Sequence, residues 1–393
     1  MPKVVSERHG RLRALLQNQQ IRSAWQTRVA ANSRVSQALG LRRVAEQVDA
    51  FTRPPLEGRE GALLPTSAST EGRVVAADIE VEQVRFEQRT YDLLERITNT
   101  FHDARYQRHA VRVYSRGVLV ARRLVDASRA RFGSNSASTT DVIRAEILRE
   151  ESERERDSAI IEERAFRREL GALLGSTDLA RAGAPRPLPR LPQLSTVLES
   201  ADQRSLMVRA ARAKLSRGQA MLAMSEVESI PNRPPGISRG ESVEPELYGS
   251  LSYPAAAPWL DELRSRVKAL EHALASARHT SVAAAQMAHS QLSDALRTLS
   301  LYQRELVPRA TQVLTTLELQ YQLGRASYVE LVDALREWLS TDLARYQASR
   351  AAAAAAARLE TILGMPLSDV TSTARVTIPA RVAINTDTPT RSH

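Results

Sequence analysis

Two stretches 189 positions apart share one shape: FGSNSASTTDVIRA over 132–145 and YQLGRASYVELVDA over 321–334. The pairing extends without gaps. Asn135 falls on Gly324, Ala137 on Ala326, Ser138 on Ser327, Asp141 on Glu330, Ala145 on Ala334, Leu170 on Leu359, Leu174 on Leu363 and Gly175 on Gly364. A chain built twice from one unit folds into two copies of one supersecondary element, so this duplication constrains the architecture before any composition is counted.

Gly and Asn are the residues that accept a left-handed backbone, so Gly324 and Asn135 mark the point where a helix stops and the chain reverses. Ser327 and Ser138 follow and can cap the next helix. Glu330 and Asp141, three residues on, complete the Ser-x-x-acid pattern of a capping box. Both stretches read as tips of helical hairpins with arms of roughly 35 to 60 residues, about 50 to 90 Å at 1.5 Å per residue. Arms of that length leave too much seam uncovered as isolated pairs. They are expected to pack with each other and with other subunits.

The order of elements around the tips repeats as well. In the first half a helix at 8–48 precedes a Pro/Gly/Ser window at 51–72, a long helix from Val74 to Phe132 and a second arm from Thr140 to Leu174. The second half has a helix at 195–229, a window at 230–258, a long helix from Leu260 to Gln322 and a last helix from Ser327 to Leu363. Ala77, Val81, Val84, Tyr91, Leu94, Thr98 and Phe101 form one predicted seam, and Leu260, Leu263, Val267, Leu270 and Leu274 another. Pro308 removes a donor and is expected to kink its helix one turn after it. The resulting divisions are a first hairpin repeat at 1–183, a proline-rich linker at 184–194, a second repeat at 195–367 and a tail at 368–393. The fold class is mainly α: duplicated long antiparallel hairpins with short strand windows.

Composition enters where it excludes something. Aromatic residues are only 4% of 393, which suits narrow helix seams better than a thick globular core. Much of the net charge of +10 lies in the first helix, where Lys3 and the arginines from Arg8 to Arg43 face only Glu7 and Glu46. No aromatic stacking set or zinc spacing accompanies that helix, so a solvated basic face is favoured over a nucleic-acid-binding one. Cysteine is absent, which removes disulfides, thiol nucleophiles and thiolate metal sites. The first 20 residues hold no apolar run of 7 to 15 residues, so no signal peptide is visible in this numbering. No 18-residue apolar segment marks a spanning helix.

No enzyme constellation emerges: there is no phosphate loop, dinucleotide fingerprint or nucleophile elbow. No cofactor is expected. His102 and His109 share a helix face, but a solvent or interface role outweighs a metal contact. Met207, Met221, Met224 and Met287 read as seam packing. REESERERDSAIIEERAFRREL, at 149–170, sets opposite charges four apart and reads as a solvated face.

The duplicated tips resemble those of the TolC-type outer-membrane efflux proteins: aromatic, Gly, Ser, acid and Val or Leu at fixed spacing, with Leu-Gly closing the second arm. Here these are Tyr321, Gly324, Ser327, Glu330, Leu331 and Leu363-Gly364, and Phe132, Asn135, Ser138, Asp141, Val142 and Leu174-Gly175. SIPNRPP, at 229–235, is similar to the Pro-Asn that leads into the strands of the metal-efflux branch. The resemblance covers most of residues 8–367. It implies a homotrimer with a shared barrel in the outer membrane and a periplasmic tunnel of helices. Its tips would meet a periplasmic adaptor protein joined to an inner-membrane pump. By the same resemblance Glu330 and Asp333 would project into a constriction, and Asp141 and Tyr321 would tie neighbouring hairpins in a closed state.

The strand windows depart from that pattern. A bilayer-crossing strand needs about 9 to 11 residues with alternating apolar positions. Only ELYGSLSY, at 246–253, alternates, and Pro231, Pro234, Pro235, Pro245, Pro254 and Pro258 surround it. The expectation is a short or degenerate barrel. Two main readings follow, a passive exit duct or a barrel-less helical-hairpin scaffold in the periplasm, and a weaker third is a coiled-coil nucleic-acid binder that uses the basic first helix.

Overall fold

The computed structural model describes residues 4–33, 65–133, 138–176, 181–227 and 256–370. A short strand, β1 (Val4–Val5), leads into α1 (Glu7–Gln17), and after a break at Asn18 the helix resumes as α2, described over 19–33. The first hairpin is α3 (Pro65–Gly133) with α4 (Thr139–Leu173). In the linker β2 (Arg181–Ala182) pairs in parallel with β1. The second half comprises α5 (Leu194–Arg204), α6 (Leu206–Val227), α7 (Ala256–Leu301), a π-helical turn (Tyr302–Leu306), α8 (Val307–Gln322) and α9 (Tyr328–Leu363). No helix among the described residues is long and apolar enough to cross a membrane.

The strand windows lie mostly outside the described residues, as does the tip segment 134–137 with Asn135. Their described margins, 65–72 and 256–258, are helical, so helix reaches further into both windows than expected. Proline permits this. Pro65 and Pro258 sit in first turns, where a backbone N–H has no intrahelical acceptor to lose. At 69 residues α3 consequently spans about 100 Å, beyond the expected arm length.

The long α3 packs on α4, its hairpin mate, and on α6 and α9 from the other half. Contact on several sides explains a correction to its seam. Ala77, Val81, Val84, Thr98 and Phe101 are buried as expected, but Tyr91 and Leu94 are only half-buried, while Leu93 and Ile97 are covered. Similarly, α9 packs on α3, α7 and α8, and its alanine run buries Ala352, Ala353, Ala356 and Ala357. Side chains that small let three neighbours approach one helix closely.

Pro308 does perturb its helix, but before itself and not after. The Val307 N–H donates to the Tyr302 carbonyl, five residues back. Proline's ring crowds the carbonyl four residues earlier, so the preceding turn widens.

The duplication is also less regular in space than in sequence. Tipward of the π turn, burial matches at the offset of 189, as with Val125 and Leu314. Further rootward it matches at 188, with Leu93 on Ser281, Ile97 on Ala285 and Ala104 on Leu292, while Leu299 still matches Ala110 at 189. In the leading helices it matches at 187, as with Ala14 and Ala201, Asn18 and Ser205, and Ile21 and Val208. The offset thus changes between Leu292 and Leu299, in the stretch of α7 that leads into the π turn.

Candidate functional site

The tip of the second hairpin is built as the sequence requires. Gly324 has φ +74°, its N–H donates to the Tyr321 carbonyl, and the Arg325 N–H donates to the Gln320 carbonyl. That closes α8 with a left-handed residue and releases the chain toward α9. Ser327 then caps α9: its Oγ accepts from the Glu330 N–H at 3.2 Å, and Glu330 Oε2 accepts from the Ser327 N–H at 2.7 Å and hydroxyl at 2.8 Å. Ser138 and Asp141 repeat this box at α4. The Ser327 backbone N–H, then its hydroxyl, hold the exposed Glu330 carboxyl below the usual carboxylate range.

Asp141 hydrogen-bonds only within its own cap among the described residues. Tyr321 reaches from α8 to α3 within the chain. Its ring is 2% exposed, its hydroxyl lies 2.9 Å from Ser128 Oγ on α3, and the Arg131 guanidinium stands 5.1 Å from the ring centroid. The counterpart of Tyr321, Phe132, is exposed. Asp333 is exposed and lines a groove between α4 and α9 with Arg144, Ile147, Tyr328, Val329 and Arg336.

At the opposite end of the hairpins a polar belt ties four elements together. Glu7 Oε2 accepts from the Arg186 N–H at 2.8 Å and lies 3.2 Å from His102 Nε2. The buried Glu360 accepts from both Arg11 Nη atoms at 3.3 Å, from Arg186 Nη2 at 2.9 Å and from the Leu367 N–H. The leading helix and the linker are thereby strapped across α3 and α9. The sequence reading missed this belt, because ion pairs 174 and 349 residues apart leave no local signature.

The belt also occupies part of the basic first helix and separates the paired histidines. His102 faces Glu7, whereas His109 stacks on Tyr346 with centroids 3.7 Å apart. Burial, reinforced by Arg112, Arg105, Arg108 and Arg345, pushes the His109 imidazole down to about 3. Among the methionines, Met221 is buried, but Met207 and Met287 are exposed rather than packed in a seam.

No protein-family model matches the chain, and no curated protein matches it. Solved structures do. The outer membrane protein VceC from Vibrio cholerae is 12% identical, with 92% of this chain and 96% of that one covered and a TM-score of 0.68. The open state of the MtrE outer membrane channel of Neisseria gonorrhoeae is 16% identical over 92% and 89% of the two chains, with a TM-score of 0.67. CusC, described for its folding and transmembrane channel formation, is 12% identical over 91% and 92%, with a TM-score of 0.68. The duplicated helical hairpins therefore have the fold of the TolC-type channels.

Proposed function

We propose that this chain is the outer-membrane exit duct of a tripartite efflux or secretion system. It acts as a homotrimer whose helices line a periplasmic tunnel, whose strand windows enter the outer membrane and whose tips meet a periplasmic adaptor joined to an inner-membrane pump. The observation that carries this reading is a row of helices with two uncovered margins. At one margin α4 packs chiefly on α3 and exposes Ile143 and Ile161; at the other, α8 exposes Val313, Leu319 and Leu323. Head-to-tail association of identical copies covers both margins and closes a ring.

Such a duct performs no chemistry. Substrate moves through water, and the pump supplies the energy. The tips hold the resting state through Tyr321 and Ser128, while Glu330 and Asp333 from three copies form a ring of like charge that repels anions and retains cations.

Light scattering of the purified protein, with and without mild detergent, tests this. A trimer that requires detergent is the expected result, and neutralising Glu330 and Asp333 should then lower cation selectivity in bilayer conductance. A detergent-independent monomer would overturn the reading and leave a hairpin scaffold.

A further inference from the structure

The duplication specifies which side chains meet when two copies join. Within the chain, α9 covers α3 across the seam between the halves. Arg116 lies 4.6 Å from the centroid of the Trp338 ring, and a Cβ added at Gly117 would stand 3.2 Å from Leu339 Cδ2. Leu124 and Val332 share the buried cluster of that seam. The counterpart of α9 is α4, and from Leu299 tipward the counterpart of α3 is the π turn followed by α8, so each contact there has an image 189 residues away with its members reversed in halves.

Burial identifies the images that lack cover. Leu124 and Val332 are buried, but their counterparts Val313 and Ile143 are 46% and 52% exposed. Each hairpin's own mate protects both members of such a pair alike. The difference is the cover that comes from across the halves, and for Val313 and Ile143 it must come from another molecule.

From this we propose that a second copy lays its α4 on α8 in the register by which α9 lies on α3. Resting on the duct reading, this assigns the contacts. Val313 meets Ile143 of the second copy, Glu305 meets its Arg149, and Leu306 meets its Glu150. The charges fit. Where the chain-internal seam sets a cation over an aromatic ring, the seam between copies sets an acid against a base. Arg149 Nη2 lies 3.5 Å from Glu150, but its buried Nε has no acceptor among the described residues. Leu306, standing where Gly117 lets Leu339 approach, holds the copies further apart than the halves. The seam between copies is thus the wider and more ionic of the two.

The chain has no cysteine, so introduced pairs react without background. Leu306→Cys with Glu150→Cys, treated with a short bismaleimide, should give covalent dimers and trimers. Moving the second cysteine one turn away, to Arg154→Cys, should reduce the yield at least fivefold. Gly117→Cys with Leu339→Cys should cross-link only within the chain. A trimer by mass with no Leu306–Glu150 product, or with equal product from the displaced pair, overturns the register and leaves the duct reading intact. A monomer by mass overturns both. Independently, Glu305→Arg should weaken trimers, and adding Arg149→Glu should restore them. Failure of that rescue in a trimer that cross-links as expected overturns the ion pair.

Discussion

Tyr321 and Ser128 meet at 2.9 Å inside a buried seam, so one hydrogen bond joins the second hairpin's tip to the first hairpin's long arm. Tyr321→Phe keeps the ring and leaves the Ser128 hydroxyl without that partner, a loss of about 1 to 3 kcal/mol. Denaturant unfolding should show it, and Ser128→Ala combined with Tyr321→Phe should cost less than the sum of the single changes. Additive losses would mean that the two groups are not coupled.

Gly324 and Gly364 both adopt a left-handed backbone, at φ +74° and +65°, but their surroundings differ. A Cβ at Gly324 meets nothing within 4 Å, whereas one at Gly364 would stand 2.7 Å from Leu206 Cγ. Gly324→Ala should cost about 1 to 2 kcal/mol from backbone strain alone, and Gly364→Ala about 3 kcal/mol because overpacking is added. Equal melting temperatures for the two variants would contradict this assignment.

Glu360 is shared by Arg11 and Arg186, with its side chain almost completely buried. Glu360→Gln leaves two partly buried guanidinium groups facing a neutral amide, at about 3 kcal/mol. Proteolysis should then cut the leading helix or the linker before it cuts α3. Uniform cleavage along the chain would show that the belt does not strap these segments.

His109 carries a pH prediction. Its folded value is depressed from 6.5 to about 3, so below 6.5 the unfolded chain takes up a proton that the folded chain refuses. Stability from this group is full above 6.5 and declines as pH falls toward 3. His109→Phe keeps the stack on Tyr346 and removes the proton site. The denaturation midpoint should therefore fall less in the variant than in the parent on going from about pH 7 to about pH 5.

The tips were legible because Gly324, Ser327 and Glu330 act through contacts three to five residues apart, a range at which sequence spacing is geometry. The hairpins followed from the same local rules, and the Leu-Gly ends from the repeat at an offset of 189. Leu93 and Ile97 were missed because a helix touched on several sides buries more than one stripe. The partner of Tyr321 was missed for another reason: Ser128 is 193 residues away, and no rule of spacing reaches across two hairpins. The changing offset was hidden too, since an extra residue inside a helix leaves its composition looking helical.

The π turn at Tyr302–Leu306 has a consequence for symmetry. In the proposed ring of three chains the six long arms, α3 and α7–α8 of each, would be equivalent if the halves were identical. One widened turn on every second arm makes them alternate, reducing a sixfold arrangement to a threefold one. Each α7–α8 arm carries that widened turn and each α3 arm is uninterrupted, so the proposed ring would alternate three interrupted arms with three continuous ones.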